Sequence, residues 1–161
     1  MRAAAFFIPL PEPEALLAWL DATYGLPADL FAGHRFWLRT DSGTLWLTDA
    51  GTVPPPGVRL DAFGLLAFRD APPRGRPTNT FALRFGAHAT KSVLELDVAA
   101  SRALLAGEPV AVADATETGW RIVRGPGQVL GMGWVAEGQL RSELPRSWRL
   151  DVDPATGWPD A

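Results

Sequence analysis

A chain of 161 residues with 47% apolar residues, including seven Trp and eight Phe, is large and apolar enough to fold around a buried core. Because it has no cysteine, disulfides, thiolate metal ligands and a cysteine nucleophile are excluded. The formal net charge of −3 disfavours phosphate binding by the chain as a whole, yet residues 61–92 and 120–149 each carry five basic residues against two acidic ones. This asymmetry permits a basic face, although uneven charge is also common on ordinary protein surfaces.

The first predicted elements are a helix and a β-hairpin. Apolar residues at helical spacing predict a helix over residues 14–24, which Gly25 ends. Alternating residues predict strands over 34–40 and 44–49, joined by the turn at 41–43. Two sets of side chains compete for the buried face of this hairpin: Phe36, Leu38, Leu45 and Leu47 on one side, and Trp37 and Trp46 on the other.

The N-terminal apolar stretch, residues 3–10, contains Pro9 and runs into two glutamates. It therefore fits neither a signal peptide nor a membrane span, and a cytoplasmic location without membrane association is expected.

Proline marks the middle of the chain. Residues 50–57 are predicted to be a loop, because three successive prolines lack amide donors. A strand is predicted over residues 61–69, and residues 71–78 are predicted to be a linker. We therefore predict a first domain over residues 1–75, a second over 76–150 and a polar tail over 151–161.

The second predicted domain combines short helices with closely spaced strands. Residues 80–85 are predicted to be a strand, and residues 89–96 and 98–106 to be helices. Strands are then predicted over 109–113, 120–124 and 129–136, with turns at 125–127 and 137–138. Short strands with glycine at the bends indicate a small barrel rather than an open sheet.

Few residues carry recognisable chemistry, and the usual catalytic and nucleotide-binding motifs are absent. His34 and His88 are expected to be structural or RNA-facing, because neither Cys nor a third His exists to complete a metal site. No metal and no cofactor is expected. Gly131 and Gly133 are interpreted as allowing tight strand curvature or close backbone approach, because no helix follows them to hold an anion.

One aromatic residue near the C-terminal end has two interpretations. Trp148 lies between Arg146 and Arg149, where its ring could stack on an RNA base while the guanidinium groups meet phosphates. The same ring could instead close the barrel. The sequence pattern leaves both open.

The run GWRIVRGPGQVLGMGWVAEGQLRSELPRSWR, residues 119–149, resembles the closing strands of PUA-like domains appended to Sun-type RNA (cytosine-5)-methyltransferases. The shared features are a glycine–aromatic start, a glycine turn, a Leu-Gly-x-Gly strand, a second glycine hairpin and a Leu-x-Pro exit. Upstream, VLELD and SRALLAGEPVAV resemble the helix, Leu-x-Gly-Glu turn and strand of those domains. The first half is similar to the pre-PUA module of ribosome-biogenesis factors.

The resemblance implies an α+β fold, with a small mixed N-terminal domain followed by a PUA-like β-barrel with short helices. It implies a non-catalytic protein that binds structured rRNA or tRNA during RNA modification or ribosome maturation, beside an RNA-modifying enzyme or a ribosome-assembly protein. The methyltransferases that it resembles use a cysteine nucleophile and a separate methyl-donor domain. The residues implied to face RNA are Arg84, His88, Lys91, Arg121, Arg124, Gly131, Gly133, Arg146, Trp148 and Arg149.

Two further hypotheses belong to other classes. The acidic net charge and the many tryptophans fit a protein-interaction module of PUA-like fold with little RNA affinity, because aromatic side chains make good protein-binding anchors. The third hypothesis is an enzyme that acts on a nucleotide through an acid such as Glu95 or Glu117, although no paired acid and base is visible.

Overall fold

The structure is a computed structural model that describes residues 6–73, 75–113, 115 and 117–149. The chain forms two compact units, of which the first ends at Ser92 and the second begins at Val93. This division differs from the boundary predicted between residues 75 and 76, because the segment that follows residue 76 folds into the first unit. The predicted tail, residues 151–161, lies outside the described residues.

The first unit combines a four-stranded antiparallel sheet with two α-helices. In sheet order, its strands are β1 (Phe7–Pro9), β2 (His34–Arg39), β3 (Leu45–Asp49) and β4 (Leu65–Phe68). The helices are α1 (Pro13–Tyr24) and α2 (Asn79–Phe85), and short 3-10 helices occur at Ala28–Phe31 and Gly86–His88. The predicted first helix and hairpin are confirmed. The strand predicted over residues 61–69 is present only as β4, and β1 was not predicted.

Both faces of the first hairpin are buried. The two sets of side chains predicted to compete for one buried face therefore each pack in a core of their own. On one face, the ring of Phe36 lies 5.6 Å from that of Phe31. On the other, Trp37 is 3% exposed and packs against Phe63 with ring centroids 5.3 Å apart. The Trp37 Nε1–H donates to Thr48 Oγ1 at 2.9 Å, so this buried indole is satisfied.

The strand predicted over residues 80–85 is wrong, because this segment forms α2. Thr78 caps the helix, its hydroxyl accepting a hydrogen bond from the Phe81 N–H at 3.2 Å. Phe81 and Phe85 lie four residues apart and therefore on one helix face. Their rings contact that of Phe31, and the Phe81 ring also contacts Phe68. This aromatic cluster holds α2 in the first unit.

The second unit contains a five-stranded sheet that curls into a half-barrel, and α3 (Val98–Ala106) packs against this sheet. In sheet order, the strands are β5 (Val93–Glu95), β7 (Gly119–Gly125), β8 (Gln128–Ala136), β9 (Gln139–Ser142) and β6 (Val110–Ala111). Strand β5 is parallel to β7, and the other pairs are antiparallel. A 3-10 helix follows at Arg146–Trp148. The buried core consists of Leu104, Val110, Val123, Leu130, Val135 and Leu140.

Most of the elements predicted for this unit are confirmed, namely helix 98–106 and the strands that became β6, β7 and β8. The helix predicted over residues 89–96 is wrong. Ser92 has a φ of 51°, in the left-handed region that an α-helix does not use, and β5 starts at the next residue. The α+β class is confirmed.

No helix in the described ranges is both long enough and apolar enough to cross a membrane.

The turn of the first hairpin holds an ion pair. Arg39 Nε donates to Asp41 Oδ1 at 2.8 Å, and Arg39 Nη1 donates to the Asp61 carbonyl oxygen at 2.6 Å. The hydrogen bond from Arg39 lowers the pKa of the Asp41 carboxyl group below its ordinary value. A lowered pKa stabilises the folded state above the unfolded-state pKa, and this stabilisation is lost as the pH falls through the folded-state pKa.

We therefore expect a carbon-13 NMR titration to give Asp41 a lower pKa in the parent chain than in an Arg39→Gln variant, which cannot form the ion pair. Equal pKa values in the two proteins would contradict this assignment.

Candidate nucleic-acid interface

The ten residues predicted to face RNA divide between the two units. Arg84, His88 and Lys91 were assigned to the barrel domain but lie in the first unit, and the other seven lie in the second. The reason is that α2 and the residues after it pack onto the first unit. Both Arg84 and His88 are exposed there, Arg84 at the end of α2 and His88 in the following 3-10 helix.

Lys91 belongs to a short segment that binds the C-terminal end of α1, and we call residues 90–92 the α1 clasp. The Lys91 ammonium donates to the Asp21 carbonyl oxygen at 3.0 Å. The backbone N–H of Lys91 donates to the Tyr24 carbonyl oxygen at 3.1 Å. The Ser92 hydroxyl donates to the Thr23 carbonyl oxygen at 2.8 Å. Because the carbonyl end of a helix favours a cation, Lys91 has a structural role in this position.

Two arginines of β7 are engaged within the second unit. The Arg121 side chain is 14% exposed, and its guanidinium donates to the carbonyl oxygens of Glu117 and Trp120 at 2.9 and 3.0 Å. Arg124 Nη1 donates to Glu95 Oε1 at 3.2 Å. Replacing either arginine would therefore disturb local structure as well as any contact with RNA.

Gly131 and Gly133 are buried in β8, and the structure gives Gly133 a packing role. A Cβ atom at Gly133 would lie 2.5 Å from Leu140 Cδ1 and 3.1 Å from Val123 Cγ2. Both neighbours are fully buried. The absence of a side chain at this position thus lets β9 and β7 pack closely over β8.

The segment at the end of the described chain is more accessible. Arg146 is exposed and Trp148 is 48% exposed, which favours a surface ring over a ring that closes the barrel. The Arg149 guanidinium lies against Gly107, the glycine that ends α3. Its Nε is buried without a hydrogen-bond partner among the residues described.

A second aromatic feature, which sequence reasoning missed, lies on the face of this sheet opposite the core residues Val123, Val135 and Leu140. Trp120 of β7 is directly opposite Trp134 of β8, and Trp134 is directly opposite Arg141 of β9. We call these three residues the outer row. Their neighbours Val135 and Leu140 point into the core, so alternation along the strands directs the outer row to the other face.

The rings of Trp120 and Trp134 are only partly buried, and their centroids are 4.9 Å apart at an interplanar angle of 61°. Arg141 is exposed. The next pair on the same face, Ile122 and Met132, is buried, so the outer row marks where this face becomes accessible. Two aromatic rings beside a guanidinium group offer flat apolar surface next to a positive charge.

Across the ranges that the structure describes, no three His, Asp or Glu side chains lie close enough together to hold a metal ion.

Comparison with known proteins gives a family match and two related enzymes. Residues 91–150 match the family described as the methyltransferase RsmF PUA domain. The chain is 34% identical over 145 residues to a ribosomal RNA small subunit methyltransferase F of Aeromonas salmonicida (strain A449). It is 33% identical over 144 residues to the protein of the same name from Aeromonas hydrophila subsp. hydrophila.

Each alignment covers 87% of this chain, while the chain spans 29% of the length of these relatives. An alignment of about 145 residues is longer than the second unit, so the similarity extends into the first unit. The family match, in contrast, covers the second unit up to residue 150 and the two residues before it. Residues 91–150 are therefore similar to the PUA domain of RsmF methyltransferases, and the second unit is PUA-like and resembles the C-terminal region of Sun-type enzymes, as the ordered glycines of β7 and β8 predicted.

Proposed function

We propose that this chain is a non-catalytic RNA-binding module that acts in the modification of ribosomal RNA, and that its second unit contacts RNA through the outer row. The observation that carries the proposal is the alignment of Trp120, Trp134 and Arg141 across three adjacent strands of a PUA-like domain.

The spacing of the outer row suits unpaired RNA bases. Adjacent strands are about 4.8 Å apart, so the three side chains follow one another at about that interval across the sheet. RNA-binding proteins commonly hold splayed bases against aromatic rings and guanidinium planes. Stacking of one base on an aromatic side chain contributes about 1–3 kcal/mol.

Charge argues for stacking as the main source of affinity. The net charge of the chain is −3, and Arg121 and Arg124 are already held by groups of the second unit. Among the described residues of this unit, Arg141 and Arg146 are the exposed arginines that remain to neutralise phosphates. Since each neutralised phosphate steepens the salt dependence of binding, we expect this dependence to be shallow.

Separate observations support the choice of ribosomal RNA as the partner and the proposal that the chain is not catalytic. The two relatives are named small-subunit ribosomal RNA methyltransferases, which makes ribosomal RNA the proposed partner. The acids considered for nucleotide chemistry are poorly placed for it, because Glu95 is paired with Arg124 and the Glu117 side chain is 90% exposed. The chain also has no cysteine to act as a nucleophile.

The test is binding of the purified chain to small-subunit ribosomal RNA and to tRNA over a salt series. We expect Trp134→Leu to weaken binding to ribosomal RNA about tenfold. This loss corresponds to about 1.4 kcal/mol, near the low end of the free energy that stacking of one base contributes. Arg141→Gln should lower the slope of log affinity against log salt by about one.

The matched control is Arg69→Gln, which removes an exposed arginine from the first unit. It should leave the affinity unchanged. If neither outer-row variant differs from this control, the outer row is not the RNA interface. If the parent chain binds no RNA at low salt, the protein-interaction hypothesis replaces the proposed function.

A further inference from the structure

A cavity of about 310 Å³ opens at the end of the first hairpin, within the first unit. We call it the hairpin pocket. Its apolar wall is formed by Leu47, Phe63 and Leu65. Polar side chains from three different segments line the rest, namely His34, Thr48, Asp49, Thr52 and Arg84. An apolar wall with a few converging polar groups is typical of pockets that bind small ligands.

The position of His34, which lines the hairpin pocket, is fixed by packing. His34 Nδ1 is inaccessible and has no hydrogen-bond partner among the described residues. The imidazole ring is held edge-on against Phe85, with centroids 5.6 Å apart, so its orientation is fixed by packing. Because Nδ1 is inaccessible, His34 contributes a rigid part of the wall, and the exposed side chains of Asp49 and Arg84 are the ones that a ligand can reach.

Two exposed charged side chains of opposite sign also line this pocket. Asp49 is directly opposite His34 in the pairing of β2 with β3, so the two side chains emerge side by side. Arg84 approaches the pocket from α2, with its guanidinium 5.6 Å from the ring of Phe85. Both Asp49 and Arg84 are exposed, and within the described ranges neither has an ion-pair partner.

These groups define the chemistry of the ligand. The Arg84 guanidinium can bind an anion, and the Asp49 carboxylate can accept hydrogen bonds from donor groups of the ligand. The apolar wall suits a flat apolar part of the ligand. A nucleotide has all three parts, namely a phosphate, a base edge and a base face. Proteins that capture single bases read the pairing edge by hydrogen bonds and cover the face with apolar side chains.

From this arrangement we infer that the hairpin pocket binds one unpaired nucleotide of the RNA, with its phosphate at Arg84 and its pairing edge at Asp49. The inference rests on the proposed function, because RNA is the source of the nucleotide. It adds a second contact in the first unit. A carboxylate accepts hydrogen bonds from the amino group of a base such as guanine, and uracil has no amino group. The pocket should therefore favour guanine over uracil.

The experiment titrates the full chain with guanosine 5′-monophosphate, uridine 5′-monophosphate, guanosine and inorganic phosphate. Binding is read from the NMR shifts of the Gly64 and Leu65 amides, which line the pocket. We expect guanosine monophosphate to bind about tenfold more tightly than uridine monophosphate, with Asp49→Asn removing most of this preference. Arg84→Gln should weaken guanosine monophosphate about tenfold and leave guanosine unchanged, because guanosine has no phosphate.

Arg69→Gln serves as the control here too, because Arg69 is exposed in the same unit and does not line the pocket. The inference is overturned if the pocket amides do not shift with guanosine monophosphate, if inorganic phosphate binds as tightly, or if Arg84→Gln weakens guanosine equally. Thermal melting of each variant shows whether it is folded.

The two proposals fail separately. Loss of RNA affinity in Trp134→Leu without nucleotide binding in the hairpin pocket overturns only the pocket. Nucleotide binding in the pocket with unchanged RNA affinity in Trp134→Leu overturns only the outer row.

Discussion

Phe81→Ala is expected to lower the free energy of unfolding of the first unit by about 3–5 kcal/mol, the range for removing a fully buried phenyl ring. Phe81 is 0% exposed, and its ring contacts those of Phe31, Phe68 and Phe85 at centroid distances of 5.0 to 6.0 Å. Deleting the ring therefore opens a cavity that stiff aromatic neighbours cannot fill. Urea denaturation followed by circular dichroism measures the loss.

Leu83→Ala is the matched control for this substitution. Leu83 lies on the same helix, but its side chain is 46% exposed. We expect it to change the free energy of unfolding by less than about 0.5 kcal/mol, as surface substitutions usually do. If residues 79–85 formed a strand with alternating faces, Phe81, Leu83 and Phe85 would share one side, and both substitutions would have similar effects. Similar losses in the two variants would thus contradict the helix.

Gly133→Ala is expected to destabilise the second unit by about 1–3 kcal/mol, the usual cost of inserting a methyl group into a packed core. The added Cβ would meet Leu140 Cδ1 at 2.5 Å and the Arg141 carbonyl oxygen at 3.2 Å. Because Leu140 is 0% exposed and the carbonyl belongs to the sheet, neither neighbour can move away freely. The same urea denaturation experiment measures the effect.

Gly51→Ala provides the comparison, because a Cβ at Gly51 meets no atom within 4 Å. It should be nearly neutral. A double variant that adds Leu140→Ala to Gly133→Ala should lose about 1 kcal/mol less than the sum of the single losses, because removing the leucine relieves the clash. Additive losses would mean that the cost at Gly133 does not come from contact with Leu140.

The sequence predicted correctly those helices and strands for which the local pattern and the tertiary contacts favour the same conformation. The hairpin of β7 and β8 combines alternating apolar residues with the turn at residues 125–127, and its strands are found within one residue of the predicted ends. Helix α3 has an Asp97 cap and a Gly107 stop, and its bounds match the prediction. In these elements, local preference and tertiary contacts favour the same conformation.

The errors arose where tertiary contacts decided between two local patterns. Residues 80–85 contain aromatic and aliphatic residues that suit a strand, but the Thr78 cap and the contacts of Phe81 and Phe85 stabilise a helix. Residues 89–96 were predicted to be a helix. Instead the α1 clasp holds their first part against Tyr24, and β5 pairs with β7, whose residues lie 29 positions later in the chain, as Ile122 does from Val93. No local signal reveals a partner at that distance.

Site prediction was limited for a related reason. The outer row could have been found from strand parity, since Trp134 and Arg141 each lie next to an apolar core residue, but their alignment with Trp120 depends on the register of three strands. The hairpin pocket could not be found, because Arg84 reaches it from a helix that was predicted to be a strand in another domain. Basic residues are visible in a sequence, whereas their engagement by carbonyl groups, as at Lys91, is not.

The α1 clasp determines where the polypeptide can be cut to obtain the first unit for separate expression. A fragment that stops at residue 75 would lack α2 and would leave the rings of Phe31 and Phe68 in water. It would also remove the donors that satisfy the Tyr24 carbonyl oxygen at the end of α1. A fragment that extends through Ser92 retains the aromatic cluster, these hydrogen bonds and the residues that line the hairpin pocket, so it is the fragment to choose for separate expression.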